Sequence, residues 1–89
     1  MKGDMMDDEE IRKMGQDIRT LVRIGKNGIN EAMIDEINRH LDDKDLVKVK
    51  VLRNNPVQDL EKVAEELEEK TDGRLIEIRG KTILLYNPD

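Results

Sequence analysis

Four residues, Gly25-Lys26-Asn27-Gly28, carry the clearest chemical signal in this chain. They follow the β-rich run Leu21-Val22-Arg23-Ile24 and precede Ile29-Asn30-Glu31, which opens a helical pattern. Glycines at both ends of the loop let the backbone take φ values that other residues resist. Asn30 suits an N-cap, with Ile29 before it and Ile34 after it spaced as a hydrophobic staple. Strand, Gly-x-x-Gly turn and helix start then present Lys26 and free backbone N–H groups together. That arrangement suits an anion, above all a phosphate. Glycines also end strands for purely steric reasons, so the rest of the chain must decide.

The elements around this loop can be placed from periodicity. Asp7 is positioned to cap a first helix, with Glu10 at the third position and Ile11, Met14 and Ile18 on one face. A second helix is expected from Glu31 to Leu41, with Met33, Ile34, Ile37 and Leu41 as its apolar stripe. His40 beside that stripe is the single histidine, which argues against a metal site. The run Leu46-Val47-Lys48-Val49-Lys50-Val51-Leu52 alternates as a strand, valines to one face and lysines to the other. For the third helix the expected signals are Asn55 as N-cap, Pro56 at the first position and Gln58 as the capping-box residue. Val57, Leu60, Val63, Ala64 and Leu67 would point inward, and Gly73 would stop the helix. A hairpin closes the chain, from Arg74 to Arg79 and from Thr82 to Tyr86, turning at Gly80-Lys81.

This order, α-β-α-β-α-β-β, predicts an α/β (α+β) two-layer sandwich with helices covering one face of a four-stranded mixed sheet. Strand–helix–strand units imply parallel pairing with right-handed crossovers. Strand parity places Arg23, Lys48, Lys50 and Arg79 on the other face, where they would form an open basic surface near the Gly-x-x-Gly loop.

Bulk properties bound the answer. Eighty-nine residues suit one small domain over 1–89, with 1–6 expected as a disordered tail. The 36% hydrophobic content has Tyr86 as its one aromatic residue, so the core must be aliphatic. There is no Cys, and no apolar run is long enough for a membrane span or a signal peptide, so the expected compartment is the cytoplasm. The net charge of −5 is unevenly spread: residues 1–18 carry three basic and six acidic side chains, and residues 54–73 two and seven. Residues 19–53 carry eight basic and six acidic, which puts the positive charge around the loop and strands.

Three blocks resemble the CRM domain, named for chloroplast RNA splicing and ribosome maturation, whose family includes free-standing YhbY-type proteins. They are Leu21-Val22-Arg23-Ile24-Gly25-Lys26-Asn27-Gly28, Leu46-Val47-Lys48-Val49-Lys50-Val51, and Ile78-Arg79-Gly80-Lys81-Thr82-Ile83-Leu84-Leu85-Tyr86. The resemblance runs from about residue 11 to the end. It implies a fold like the C-terminal domain of translation initiation factor 3, with strand order 1-2-4-3 and the apolar last strand inside. It implies RNA binding too, with single-domain members tied to large-subunit ribosome precursors and plant members to group II intron splicing. On this chain Gly25, Lys26, Asn27 and Gly28 would form the loop that grips the backbone, as in KH domains. Lys48, Lys50 and Lys81 stand where the family often has basic residues.

The first functional expectation is therefore an RNA-binding protein, with rRNA or a pre-ribosomal particle as partner. Lys26 and the loop N–H groups would hold phosphates; Arg23, Lys48, Lys50, Arg53, Arg79 and Lys81 would extend the track. With one aromatic residue, recognition would rest mainly on backbone and shape. The competing expectation is an interaction module whose acidic helix, residues 57–70, docks on a basic partner such as a ribosomal protein. A monomer without cofactor, metal or membrane association is expected. An enzyme is disfavoured: the chain lacks Ser and Cys nucleophiles and a second His, and the loop lacks the longer P-loop pattern.

Overall fold

A computed structural model describes residues 7–87, so the expected tail at 1–6 lies outside the described residues. The elements follow the expected order: α1 (Asp8–Asp17), β1 (Val22–Ile24), α2 (Glu31–Lys44), β2 (Leu46–Val51), α3 (Leu60–Lys70), β3 (Arg74–Arg79) and β4 (Thr82–Tyr86). The sheet order is β1-β2-β4-β3. β1 runs parallel to β2, and β4 lies antiparallel to both β2 and β3. β4 sits between its neighbours because Ile83, Leu84 and Leu85 are apolar on both faces, and all three are buried.

Two separate cores hold the sheet. On one face α2 and α3 bury Ile37, Leu41, Val63, Ala64 and Leu67 against Val22, Ile24, Val47, Val49, Val51, Ile83 and Leu85. On the opposite face Ile11 of α1 meets Leu46, Ile76, Leu84 and Tyr86. The expectation that all helices share one face thus holds for α2 and α3 only. α1 crosses to the other side because Leu84 and Tyr86 alternate with Ile83 and Leu85, and Ile76 joins them. A bulge between Leu75 and Glu77 keeps Ile76 on that side while Ile78 packs on the other, and the resulting apolar strip would be wet without α1.

Several local expectations need correction. α2 continues to Lys44 and ends where Asp45 takes a left-handed conformation, φ 66. Its last turn, Asp42-Asp43-Lys44, is exposed and carries no apolar residue to mark it. α3 starts at Leu60, capped by Asp59, whose carboxylate accepts from Glu61 and Lys62 N–H groups. Asn55 is instead buried in the preceding loop, donating to the Val57 carbonyl, and Val57 is 42% exposed rather than inward. Gln58 donates to the carbonyls of Asn55 and Arg53 at 2.7 and 3.2 Å, so both amide side chains serve the loop rather than a helix start. Gly73 is not the cap of α3; Thr71 is, accepting that role through its hydroxyl bond to Leu67 O. A Cβ on Gly73 would lie 2.9 Å from Leu85 Cβ, so glycine is required there by packing.

Candidate nucleic-acid interface

The Gly-x-x-Gly segment folds as a tight turn. Gly28 N–H donates to Gly25 O at 3.0 Å, which leaves Lys26 and Asn27 at the two exposed corners. Gly28 has φ +66, a conformation that strains any residue with a Cβ. Asn30 then caps α2, accepting from Met33 N–H at 2.9 Å. Among the described residues, neither the backbone N–H of Lys26 nor that of Asn27 has a hydrogen-bond partner.

A second loop, residues 52–59, braces the first. Leu52 N–H donates to Ile24 O at 2.9 Å, and the side chains of Asn54 and Asn55 lie nearest to Gly25 and Gly28. The β3–β4 turn reaches the same end of the sheet, since Val51 N–H donates to Lys81 O at 2.8 Å. Gly80 occupies the first turn position with φ +60, as a two-residue hairpin demands. Lys26, Asn27, Arg53 and Lys81 are therefore all exposed at one end of the molecule. Lys81 is partly engaged there, its Nζ 3.1 Å from Gln58 Oε1.

On the sheet face that α1 only partly covers, register aligns Arg23 with Lys50, Lys50 with Thr82, and Thr82 with Arg79. Three cations and a hydroxyl thus cross all four strands in one row, next to the Gly-x-x-Gly end. Adjacent members are about 5 Å apart, one strand spacing. Arg23, Lys26, Lys50, Arg53 and Arg79 are exposed, and among the described residues none has a carboxylate partner. Cations elsewhere are neutralised more often: Arg74 meets Asp8 at 3.5 Å, Arg12 meets Glu77 at 3.6 Å, and Lys70 meets Glu66 at 2.7 Å.

Lys48 does not join that row. It stands one row nearer α1, half-buried, and its Nζ donates to Gly15 O at 3.0 Å. The expected four-residue open face is thus three exposed cations and one lysine tied to a helix end. Parity alone could not show this, because it does not say which helix covers the second face. Thr82, Glu77 and Gln16 also lie on this surface and were not among the expected site residues. Thr82 could have been found from the hairpin, whose turn fixes it opposite Arg79. No group of three or more His, Cys, Asp or Glu side chains is placed to hold a metal ion among the described residues. Nor is any described helix long and apolar enough to cross a membrane.

Comparison with known proteins agrees with this architecture. The solution structure of the hypothetical protein SAV1595 from Staphylococcus aureus superposes with a TM-score of 0.76 at 36% identity, covering 93% of this chain and 88% of that one. The Bacillus subtilis "Probable RNA-binding protein YqeI" is 34% identical over 76 residues, 85% of this chain and 78% of its own length. The maize chloroplastic group IIA intron splicing facilitator CRS1 is 34% identical over 79 residues, 84% of this chain but 11% of the plant protein. The family model for the CRS1/YhbY (CRM) domain matches residues 6–87. With that match over nearly its whole length and the same strand order as the resemblance implied, the chain belongs to the CRS1/YhbY (CRM) domain family.

Proposed function

We propose that this protein binds RNA, gripping the sugar–phosphate backbone between its Gly-x-x-Gly turn and the cationic row of its sheet. The observation that carries the reading is the alignment of Arg23, Lys50 and Arg79 in one register row beside the loop that exposes Lys26. Unpaired cations spaced along a path match the repeating charge of a nucleic-acid strand, and free N–H groups at a turn add uncharged phosphate donors. Arg53 and Lys81 extend the path around the end of the sheet. The B. subtilis relative, named as a probable RNA-binding protein, supports the same reading. We place the activity in residues 7–87 acting as one unit in the cytoplasm, on structured rRNA or a ribosome precursor.

The test is affinity for structured RNA across a salt series, wild type beside Lys26→Ala and Lys50→Ala. Each variant should bind more weakly and lower the salt slope by roughly 0.7–0.9, one phosphate contact. Unchanged affinity and slope in both variants would remove these residues from the interface.

A second reading has one observation in its favour. Glu61, Glu65 and Glu69 repeat every four residues along the exposed face of α3, and among the described residues none is paired with a basic side chain. This stripe would suit a basic protein partner, and the helix that carries it begins at Leu60, not at Val57. Reversing Glu65 and Glu69 to Lys while scoring bound proteins tests it; an unchanged set of partners rejects it.

A further inference from the structure

α1 stops short of the cationic row and leaves a concavity of about 340 Å³ between its last turn and the sheet. That is the small end of ligand-sized sites, roughly 300–1,000 Å³. Its floor is Leu84. Register places Glu77 on one side of Leu84 and Lys48 on the other, so a carboxylate and an ammonium flank the floor about 10 Å apart, two strand spacings. Thr82 and Arg79 form the rim toward the cationic row, and Gly15 forms the opposite wall.

Glu77 is the informative residue. A carboxylate accepts hydrogen bonds only and repels phosphate, so it does not belong to a backbone track. It is ion-paired with Arg12 at 3.6 Å, a charge contact longer than a hydrogen bond, so its oxygens can still accept, and the Glu77 side chain remains 25% exposed. Lys48 spends one of its three donors on Gly15 O and keeps two. The concavity therefore offers a charged acceptor and a charged donor at fixed places beside an apolar floor. Phosphates have acceptors alone and cannot satisfy both; the edge of an unpaired base can.

We propose, resting on the RNA-binding reading above, that this concavity takes one unpaired guanine base. Among the RNA bases, guanine presents two adjacent donors, N1–H and the N2 amine, next to the O6 acceptor. Glu77 accepts from the two donors, and Lys48 or Arg79 donates to O6. Backbone binding along Arg23, Lys50 and Arg79 would bring the base to the site, and the pocket would add sequence preference to a charge-driven contact.

The experiment measures affinity for short single-stranded uridine oligomers carrying one central G, inosine, A or C, at several salt concentrations. Wild type should favour the G oligomer by about 5- to 150-fold, the range of a bidentate base contact, and lose most of that with inosine, which lacks the N2 amine. Glu77→Gln should abolish the preference and leave the salt slope unchanged. Equal binding of all oligomers with a normal salt slope overturns the guanine site and leaves backbone binding intact. A preference that survives Glu77→Gln overturns the assignment to that residue. No binding of any oligomer or of structured RNA at low salt overturns both readings.

Discussion

Lys48 Nζ donates to the carbonyl oxygen of Gly15 at 3.0 Å, linking a central strand to a helix 33 residues away in sequence. Gly15 lies in the last turn of α1, where carbonyls lack partners within the helix. α1 itself has no basic residue in its last turn, so a lysine from β2 supplies the positive charge that a helix C-terminus favours. Lys48→Met keeps much of the stem's packing and removes that bond. It should lower stability by about 1.5–3 kcal/mol, the worth of a hydrogen bond to a charged group, seen as an earlier urea midpoint with unchanged slope. An unchanged midpoint would mean that water replaces the lysine without loss.

The same junction makes Gly15 sensitive to size. A Cβ there would lie 2.5 Å from Leu84 Cδ2 and 3.0 Å from Leu84 Cδ1, so the Leu84 side chain must shift to admit it. Gly15→Ala is better for helix propensity by up to about 1 kcal/mol, yet it overpacks this contact at a cost of about 1–3 kcal/mol. A net loss of stability is expected from thermal or urea unfolding. A gain would show that Leu84 yields and that α1 packs loosely.

Much of this fold could be read from residue patterns, and each failure has a physical cause. The alternation in Leu46–Val51 and the apolar run Ile83-Leu84-Leu85 fixed two strands, because side-chain direction in a strand follows sequence position directly. Asp7 and Asn30 were identified as caps from local spacing, and each accepts a backbone N–H in its first turn. Asn55 misled because its neighbours Pro56 and Gln58 mimic a helix start. The loop they build uses both amides for its own carbonyls, and Asp59 caps instead. For the interface, parity gave the side of the sheet on which Arg23, Lys50 and Arg79 stand. It could not give the position of α1, which depends on contacts between Ile11 and residues 35 or more positions away. That is why Lys48 was grouped with the open row.

Cap exchange at α3 makes a direct test of that correction. Asp59→Ala should cost about 0.5–2 kcal/mol, since it removes an acceptor for two N–H groups of the first turn. A fall in the thermal midpoint checks it. If Asp59→Ala left stability unchanged, the helix would have another cap.

Gly28 separates loop geometry from loop charge. Its φ of +66 disfavours a Cβ by about 1–2 kcal/mol, while no atom lies closer than 3.8 Å to where that Cβ would stand. Gly28→Ala should therefore lose stability through backbone strain alone, and Gly28→Asn should lose less, because Asn tolerates left-handed backbone. Lys26→Ala, on an exposed corner of the same turn, should leave stability within about 0.5 kcal/mol and weaken RNA binding instead. Unfolding curves and RNA affinities measured on the same three variants would show two different rankings if the turn is a scaffold and Lys26 its contact. A single shared ranking would mean that the loss of affinity follows from unfolding of the turn, and Lys26 would have no contact role of its own.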